Sequence, residues 1–214
     1  MVMFIPSLTH EAGAVLTVSD WVSIDVTLAS CDLSDLLLKP GIAVLKQLDC
    51  LNMYWDWPGE LVLNVLSLPN HASGQCVLRS KYDGSLLRLT YEEILALILH
   101  LNPEHVALPA YLLPLATHAY PDILPKCIKY SGCDKPGQDA LEGLMYSSND
   151  ERTFLITDKK YAVDFTVMDS ACACPACADG FTRAYFHHLY THTPLLCQRW
   201  LVMHNQWMIS QVLL

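Results

Sequence analysis

Short apolar runs alternate with polar breaks from the start of the chain to about residue 120. Ala14 to Val18, Trp21 to Leu28, Leu61 to Leu66 and Gln75 to Arg79 have the length and β-branched content of strands, and helical patterns lie between them. This succession is the rhythm of an α/β fold. Tyr91 to Leu101 is the best-defined helix: Thr90 can cap it, Glu92 and Glu93 suit its positive N-terminal end, and Asn102-Pro103 stops it. Asp83-Gly84, between Val77 to Tyr82 and Leu86 to Leu89, predicts a hairpin, because glycine takes a positive φ without strain.

From Pro109 to Gly137 prolines and glycines recur, no period persists, and a junction is expected. Beyond it, Thr153 to Ile156 and Tyr161 to Phe165 read as strands around an Asp158-Lys159-Lys160 turn. Thr182 to Tyr190 and Leu195 to Leu214 read as helices separated by Thr193-Pro194. The expected organisation is an α/β region over residues 1–142 and a C-terminal region over 143–214, together one compact unit. No internal repeat or low-complexity tract interrupts it.

Composition narrows the classes. With 214 residues, 52% of them apolar and 16% charged, the chain can bury a sizeable core. The apolar runs Ile94 to Leu99 and Val106 to Leu108 end well short of the roughly 20 residues of a membrane span. The opening Met-Val-Met-Phe-Ile-Pro has no basic n-region, so no signal peptide is read and a cytoplasmic location is expected. Nine cysteines, an odd number, do not suit a fully paired secreted framework, whereas reduced thiols, some of them on metal, do. The net charge of −9 opposes tight binding to a polyanion, so any contact with RNA would need a local basic patch or a more basic partner.

The sharpest chemical signal is Cys172-Ala173-Cys174-Pro175-Ala176-Cys177, where a tight loop can aim three thiolates at one tetrahedral ion. A fourth ligand is required, and spacing leaves His187, His188, His192 and His204 as candidates. A neutral imidazole from a returning helix would close a Cys₃His site with no position for water, which makes the site structural and the ion Zn²⁺.

Three consecutive segments, Cys172-x-Cys-Pro-x-Cys, Thr182-Arg183-Ala184-Tyr185-Phe186-His187-His188-Leu189 and Met203-His204-Asn205, resemble the C-terminal zinc region of the tRNA-guanine transglycosylase family. Tyr161-Ala162-Val163-Asp164-Phe165 resembles that family's approach to the knuckle. Further likenesses occur in order through the N-terminal half: Phe4-Ile5-Pro6, Leu38-Lys39-Pro40-Gly41, Trp57-Pro58-Gly59, Arg79 to Ser85, and Leu89-Thr90-x-Glu92-Glu93. The resemblance implies that His204 is the fourth ligand, beside Cys172, Cys174 and Cys177. It also implies a (β/α)₈ barrel with a zinc subdomain, and exchange of a guanine in tRNA for a 7-deazaguanine base.

Parts of the family pattern are missing. The acid-base aspartate of a Thr-Asp-Ser-Gly-Gly segment falls on Asn64 in Leu63-Asn64-Val65-Leu66, and a carboxamide cannot take up a proton near neutral pH. No counterpart of the segment carrying the aspartate nucleophile occurs between Leu108 and Gly143. Setting aside the zinc region leaves about 170 residues, fewer than the about 200 at which complete barrels begin, so a reduced or incomplete barrel is expected. Asp49, Asp56, Asp83, Asp122 and Asp134 are other aspartates near the expected face, and none is assigned a role. Asp83 reads as a turn former, and Trp55 and Trp57 as packing.

The resemblance therefore implies a non-catalytic accessory or binding subunit in queuosine-type tRNA modification, with no catalytic residue assigned. The alternative is a base-exchange enzyme of altered chemistry completed by a partner chain. Expected partners are a full-length transglycosylase or a second copy, met through the zinc region and the apolar helix Leu195 to Leu214, unless that helix covers its own domain. Contact with tRNA would be indirect, and no membrane association is expected.

Overall fold

The computed structural model describes residues 5–71, 74–129, 132, 134–148 and 153–213. Phe4, Cys133 and Leu214 lie outside the described residues. In chain order the regular elements begin α1 (Val18–Ser23), β1 (Leu28–Asp32), α2 (Leu33–Leu36), α3 (Ile42–Leu45), β2 (Glu60–Asn64), β3 (Gln75–Arg79), β4 (Leu86–Thr90), α4 (Tyr91–Leu101) and β5 (His105–Ala107). There follow α5 (Leu113–Ala119), α6 (Lys135–Leu141), β6 (Leu144–Tyr146), β7 (Thr153–Leu155), α7 (Pro175–Ala178), α8 (Arg183–His192) and α9 (Pro194–Leu213). They divide into two compact units, one of residues 27–131 and one of residues 1–26 with 132–214.

The first unit is built on a three-stranded parallel sheet of order β1-β2-β5. Leu28 pairs with Glu60 and Asp32 with Asn64, so β1 and β2 end level at their carboxyl edge. Leu61, Val62 and Leu63 of central β2 are all fully buried, the continuous apolar run expected of a strand covered on both faces. A parallel pair needs an intervening crossover, and α4 lies between β2 and β5 here. Thr90 and Glu93 form a reciprocal capping box that starts α4, and Asn102, at φ 47°, ends it in the left-handed region. Ile94, Leu95, Ile98 and Leu101 put one face of α4 into the core.

β3 and β4 form the antiparallel hairpin expected around Asp83-Gly84. Gly84 adopts φ 74°, and the Ser85 amide and hydroxyl both donate to Asp83 Oδ1, at 3.1 and 2.8 Å. Hydrogen bonds with Ser80 and then Ser85 hold the Asp83 carboxyl down at about 2, so Asp83 is a turn former. Trp57 is buried and its indole N–H donates to the Glu60 carbonyl, a packing role. The Leu38 to Gly41 segment links α2 to α3, with Gly41 at φ 95°.

Several local expectations are corrected. Ala14 to Val18 and Trp21 to Leu28 are not strands: a 3-10 turn covers Gly13–Val15 and helix α1 runs from Val18, the strand starting only at Leu28. The cause is a second capping box, in which Thr17 Oγ1 accepts from the Asp20 amide and Asp20 Oδ2 accepts from the Thr17 amide. That local closure outweighs the strand preference of the valines. Tyr161 to Phe165 is a 3-10 turn over Lys159–Val163 rather than a strand. The proline-rich stretch holds α5, a 3-10 turn over Pro121–Lys126 and α6; Pro114, Pro121 and Pro136 sit in first turns, where no amide is needed.

In the second unit α9 is the central element and packs on α6, α7, α8 and β6. Every residue from Leu201 to Gln206 is buried, so this helix is enclosed on all sides along that stretch and covers its own unit. Among the described residues no closed barrel forms; the architecture is mixed α/β with a parallel sheet. No helix of the described residues is long and apolar enough to cross a membrane.

Candidate metal centre

The knuckle starts from a pinned loop. Asp169, only 1% exposed, accepts from the Ser148 amide at 2.6 Å, the Ser148 hydroxyl at 2.7 Å and the Ala171 amide at 3.0 Å. Cys174 then caps the single turn α7, its carbonyl accepting from the amides of Cys177 and Ala178. Extended backbone at Cys174, followed by that turn, accompanies the gathering of the three sulfurs in one cluster. Pro175 in the first helical turn costs no hydrogen bond.

The fourth donor arrives from mid-α9. His204 Nδ1 lies 3.6 Å from Cys172 Sγ, 3.4 Å from Cys174 Sγ and 3.4 Å from Cys177 Sγ. All four donor atoms fall within 4.8 Å of one another. Tetrahedral zinc, with sulfur at about 2.3 Å and nitrogen at about 2.0–2.1 Å, requires nitrogen–sulfur separations of about 3.6 Å. The arrangement therefore fits a divalent ion at the centre, and a thiolate-rich tetrahedral set is the one that suits Zn²⁺. Cys174, Cys177 and His204 are buried and Cys172 is half-buried, so four protein donors close the site.

The ligand tautomer is fixed from outside. His204 Nε2 lies 2.9 Å from the Tyr146 carbonyl, so Nε2–H donates there and Nδ1 is the nitrogen that faces the sulfurs. Asn205 completes the clamp: its Oδ1 accepts from the Tyr146 amide at 3.0 Å, and its Nδ2 donates to the carbonyls of Leu144 at 2.9 Å and Pro136 at 3.0 Å. Asparagine next to the ligand thus has a physical reason, since it is the group that can serve one donor and two acceptors on β6 and α6.

Crowding four donors shifts their acidities. Burial pulls the His204 pKa down, but contact with the sulfurs of Cys172 and Cys174 outweighs it and lifts the imidazole to about 10. Hydrogen bonds from Cys174 and Cys177 push Cys172 down, and the same contacts, seen from the other side, push Cys177 up. Few protons shared among crowded donors is the electrostatic state that a central cation relieves.

The remaining predicted ligand candidates lie elsewhere. His187 Nδ1 is 2.8 Å from the Ile156 carbonyl, and His188 and His192 are exposed on α8. Arg183 ties two of the sequence segments together: its Nε donates to the Met168 carbonyl at 3.2 Å and its Nη1 to Asp164 at 3.3 Å. Its guanidinium also lies 4.8 Å from the Phe154 ring.

In the other unit, Asn64 stands at the carboxyl edge of the parallel sheet, where ligands of open α/β sheets gather. Its Nδ2 donates to Asp32 Oδ1 at 2.9 Å and its Oδ1 accepts from the Leu66 amide at 3.1 Å. Ser67 Oγ donates to the same Asp32 oxygen at 2.7 Å and lies 2.9 Å from Ser34 Oγ. Asp32 lies outside the apolar run Trp21 to Leu28 that predicts a strand, and only the observed β1, Leu28–Asp32, places its carboxylate at this edge.

Residues 120–213 match the family model described as Queuine tRNA-ribosyltransferase. Among curated proteins the chain is similar to the queuine tRNA-ribosyltransferase of Sorangium cellulosum, 28% identical over 57% of this chain and 30% of the relative. That of Chlamydia muridarum is 32% identical over 36% of this chain and 20% of the relative. That of Clostridium kluyveri is 27% identical over 49% and 27%. The matches span less than a third of each of these relatives' length.

Proposed function

We propose that this chain, a divergent relative of the queuine tRNA-ribosyltransferases, serves tRNA base modification of the 7-deazaguanine type as a non-catalytic accessory subunit in the cytoplasm. A structural Zn²⁺ held by Cys172, Cys174, Cys177 and His204 stabilises its C-terminal unit. The observation that carries the accessory role is the state of Asn64. It occupies the strand edge where the resemblance calls for an acid-base carboxylate, and both ends of its carboxamide are spent on Asp32 and the Leu66 amide. The partner is a full-length transglycosylase, or a second copy, docked on the second unit, where Val163 and Phe165 leave apolar side chains about three-quarters exposed, at 73% and 76%.

The test is incubation of the purified chain with unmodified tRNA and radiolabelled guanine, with and without a full-length transglycosylase. An accessory subunit incorporates no label alone and changes the rate of the full-length enzyme. Incorporation by the chain alone overturns the proposal.

One observation favours the second reading, an exchange enzyme completed by a partner. Asp32 puts a carboxylate at the same strand edge, hydrogen-bonded by Asn64 and Ser67. Under that reading Asp32→Asn abolishes exchange by the reconstituted pair; under the accessory reading it leaves the full-length enzyme's own turnover unchanged.

A further inference from the structure

α8 carries two imidazoles that the Cys₃His cluster does not use. His188 and His192 are four residues apart, so they share one helix face a turn apart. Their ring centroids lie 4.4 Å apart with planes inclined at 36°. Both residues are exposed, and among the described residues neither imidazole has a hydrogen-bond or ion-pair partner. They also occupy the last turns of the helix, where unsatisfied carbonyls favour positive charge. His187 takes no part, because its Nδ1 is directed to the Ile156 carbonyl.

Two neutral imidazoles on adjacent turns form a chelate whose geometry the helix sets in advance, which cuts the ordering cost of binding. We propose that His188 and His192 form a second metal site, which takes a divalent transition ion such as Ni²⁺, Cu²⁺ or Zn²⁺ between the two rings. Nitrogen donors select these ions over Mg²⁺ and Ca²⁺, which require oxygen ligands. The remaining coordination positions fall to water. With two ligands and no thiolate, this site holds its ion more weakly than the buried cluster and exchanges it freely with the medium.

The experiment is calorimetric titration of the full, zinc-loaded chain with Ni²⁺, with zinc content measured before and after. His188→Ala and His192→Ala are compared with the parent and with His118→Ala, an exposed histidine of the other unit. Alanine at an exposed helical position preserves the fold. The expected result is one Ni²⁺ per chain at unchanged zinc content, with affinity falling tenfold or more in either α8 variant and unchanged in His118→Ala. Parent-like binding by both α8 variants overturns the proposal, as does nickel uptake that matches zinc lost.

Discussion

His204 reaches the Tyr146 carbonyl through Nε2, at 2.9 Å, and thereby turns Nδ1 toward the three sulfurs. The contact joins a helix to a short strand, and the adjacent Asn205 closes the same joint by accepting from the Tyr146 amide. The orientation of the candidate ligand and the packing of α9 on β6 thus rest on the same joint. Asn205→Leu removes three hydrogen bonds from a fully buried position and strands two carbonyls and an amide. The expected loss is about 2–4 kcal/mol in urea unfolding. Zinc affinity, measured by chelator competition, should fall about 10–100-fold, as for other residues that orient a ligand. An unchanged affinity would separate the ligand from the joint.

Removing the metal should act on the whole second unit. Cys174 is fully buried between Cys172 and Cys177, and both the turn α7 and the core of α9 rest on the cluster. Cys174→Ser, or dialysis against a strong chelator, is expected to lower metal content and melting temperature together. A chain that lost its ion and melted at the parent temperature would show the cluster to be dispensable for folding.

Arg199 grips Asp20 with two bonds, Nε to Oδ2 at 2.9 Å and Nη2 to Oδ1 at 2.6 Å, tying α9 to α1. Burial of Asp20 raises its pKa, but Arg199 and the Thr17 capping bonds outweigh burial and leave it below the ordinary 3.8. A depressed carboxyl pKa means the unfolded chain binds the proton more readily, so the contribution is complete above about pH 4 and is lost as pH falls through the lower folded value. Asp20→Asn should cost about 1–3 kcal/mol at pH 7, the Arg199 side being partly exposed and screened. The difference from the parent should shrink below about pH 4 in denaturant melts. A pH-independent difference would assign the loss to capping geometry alone.

What could be read from the sequence depended on whether local chemistry agreed with the apolar pattern. At Thr90 and Glu93 the capping box, the acidic first turn and the apolar period all coincide, and α4 follows to the residue. At Thr17 and Asp20 the same box competes with a β-branched run, and the valines concealed it. Tyr161 to Phe165 shows the reverse difficulty. Its alternation suggests a strand, yet Tyr161 is buried while Val163 and Phe165 point outward, because the turn's fit to Arg183 and Phe154 sets the orientation. The cysteine spacing points to a metal site but does not choose among four histidines; the family resemblance points to His204, and the physical reason, the Tyr146 carbonyl that orients its ring, is brought near only by tertiary structure. Asp32 and Asn64 meet for the same reason, through a parallel pairing that no local signal encodes.

Arg183 offers the most discriminating test of how the knuckle is supported from α8. Its guanidinium bonds the Met168 carbonyl just before the metal loop, pairs with Asp164 and lies over Phe154. Lysine preserves the charge but has no planar fork, so it can serve Asp164 or Met168 and cannot span both. Arg183→Lys should therefore cost about 1–2 kcal/mol, chiefly by freeing the Met168 carbonyl. Asp164→Asn, which loses the ion pair but leaves the Arg183 to Met168 bond in place, should cost less, the pair being partly exposed. Amide hydrogen exchange at Met168, Cys172 and Cys174 separates the effects. Faster exchange in Arg183→Lys alone identifies the Met168 bond as the support of the loop, whereas faster exchange in Asp164→Asn alone assigns that role to the ion pair.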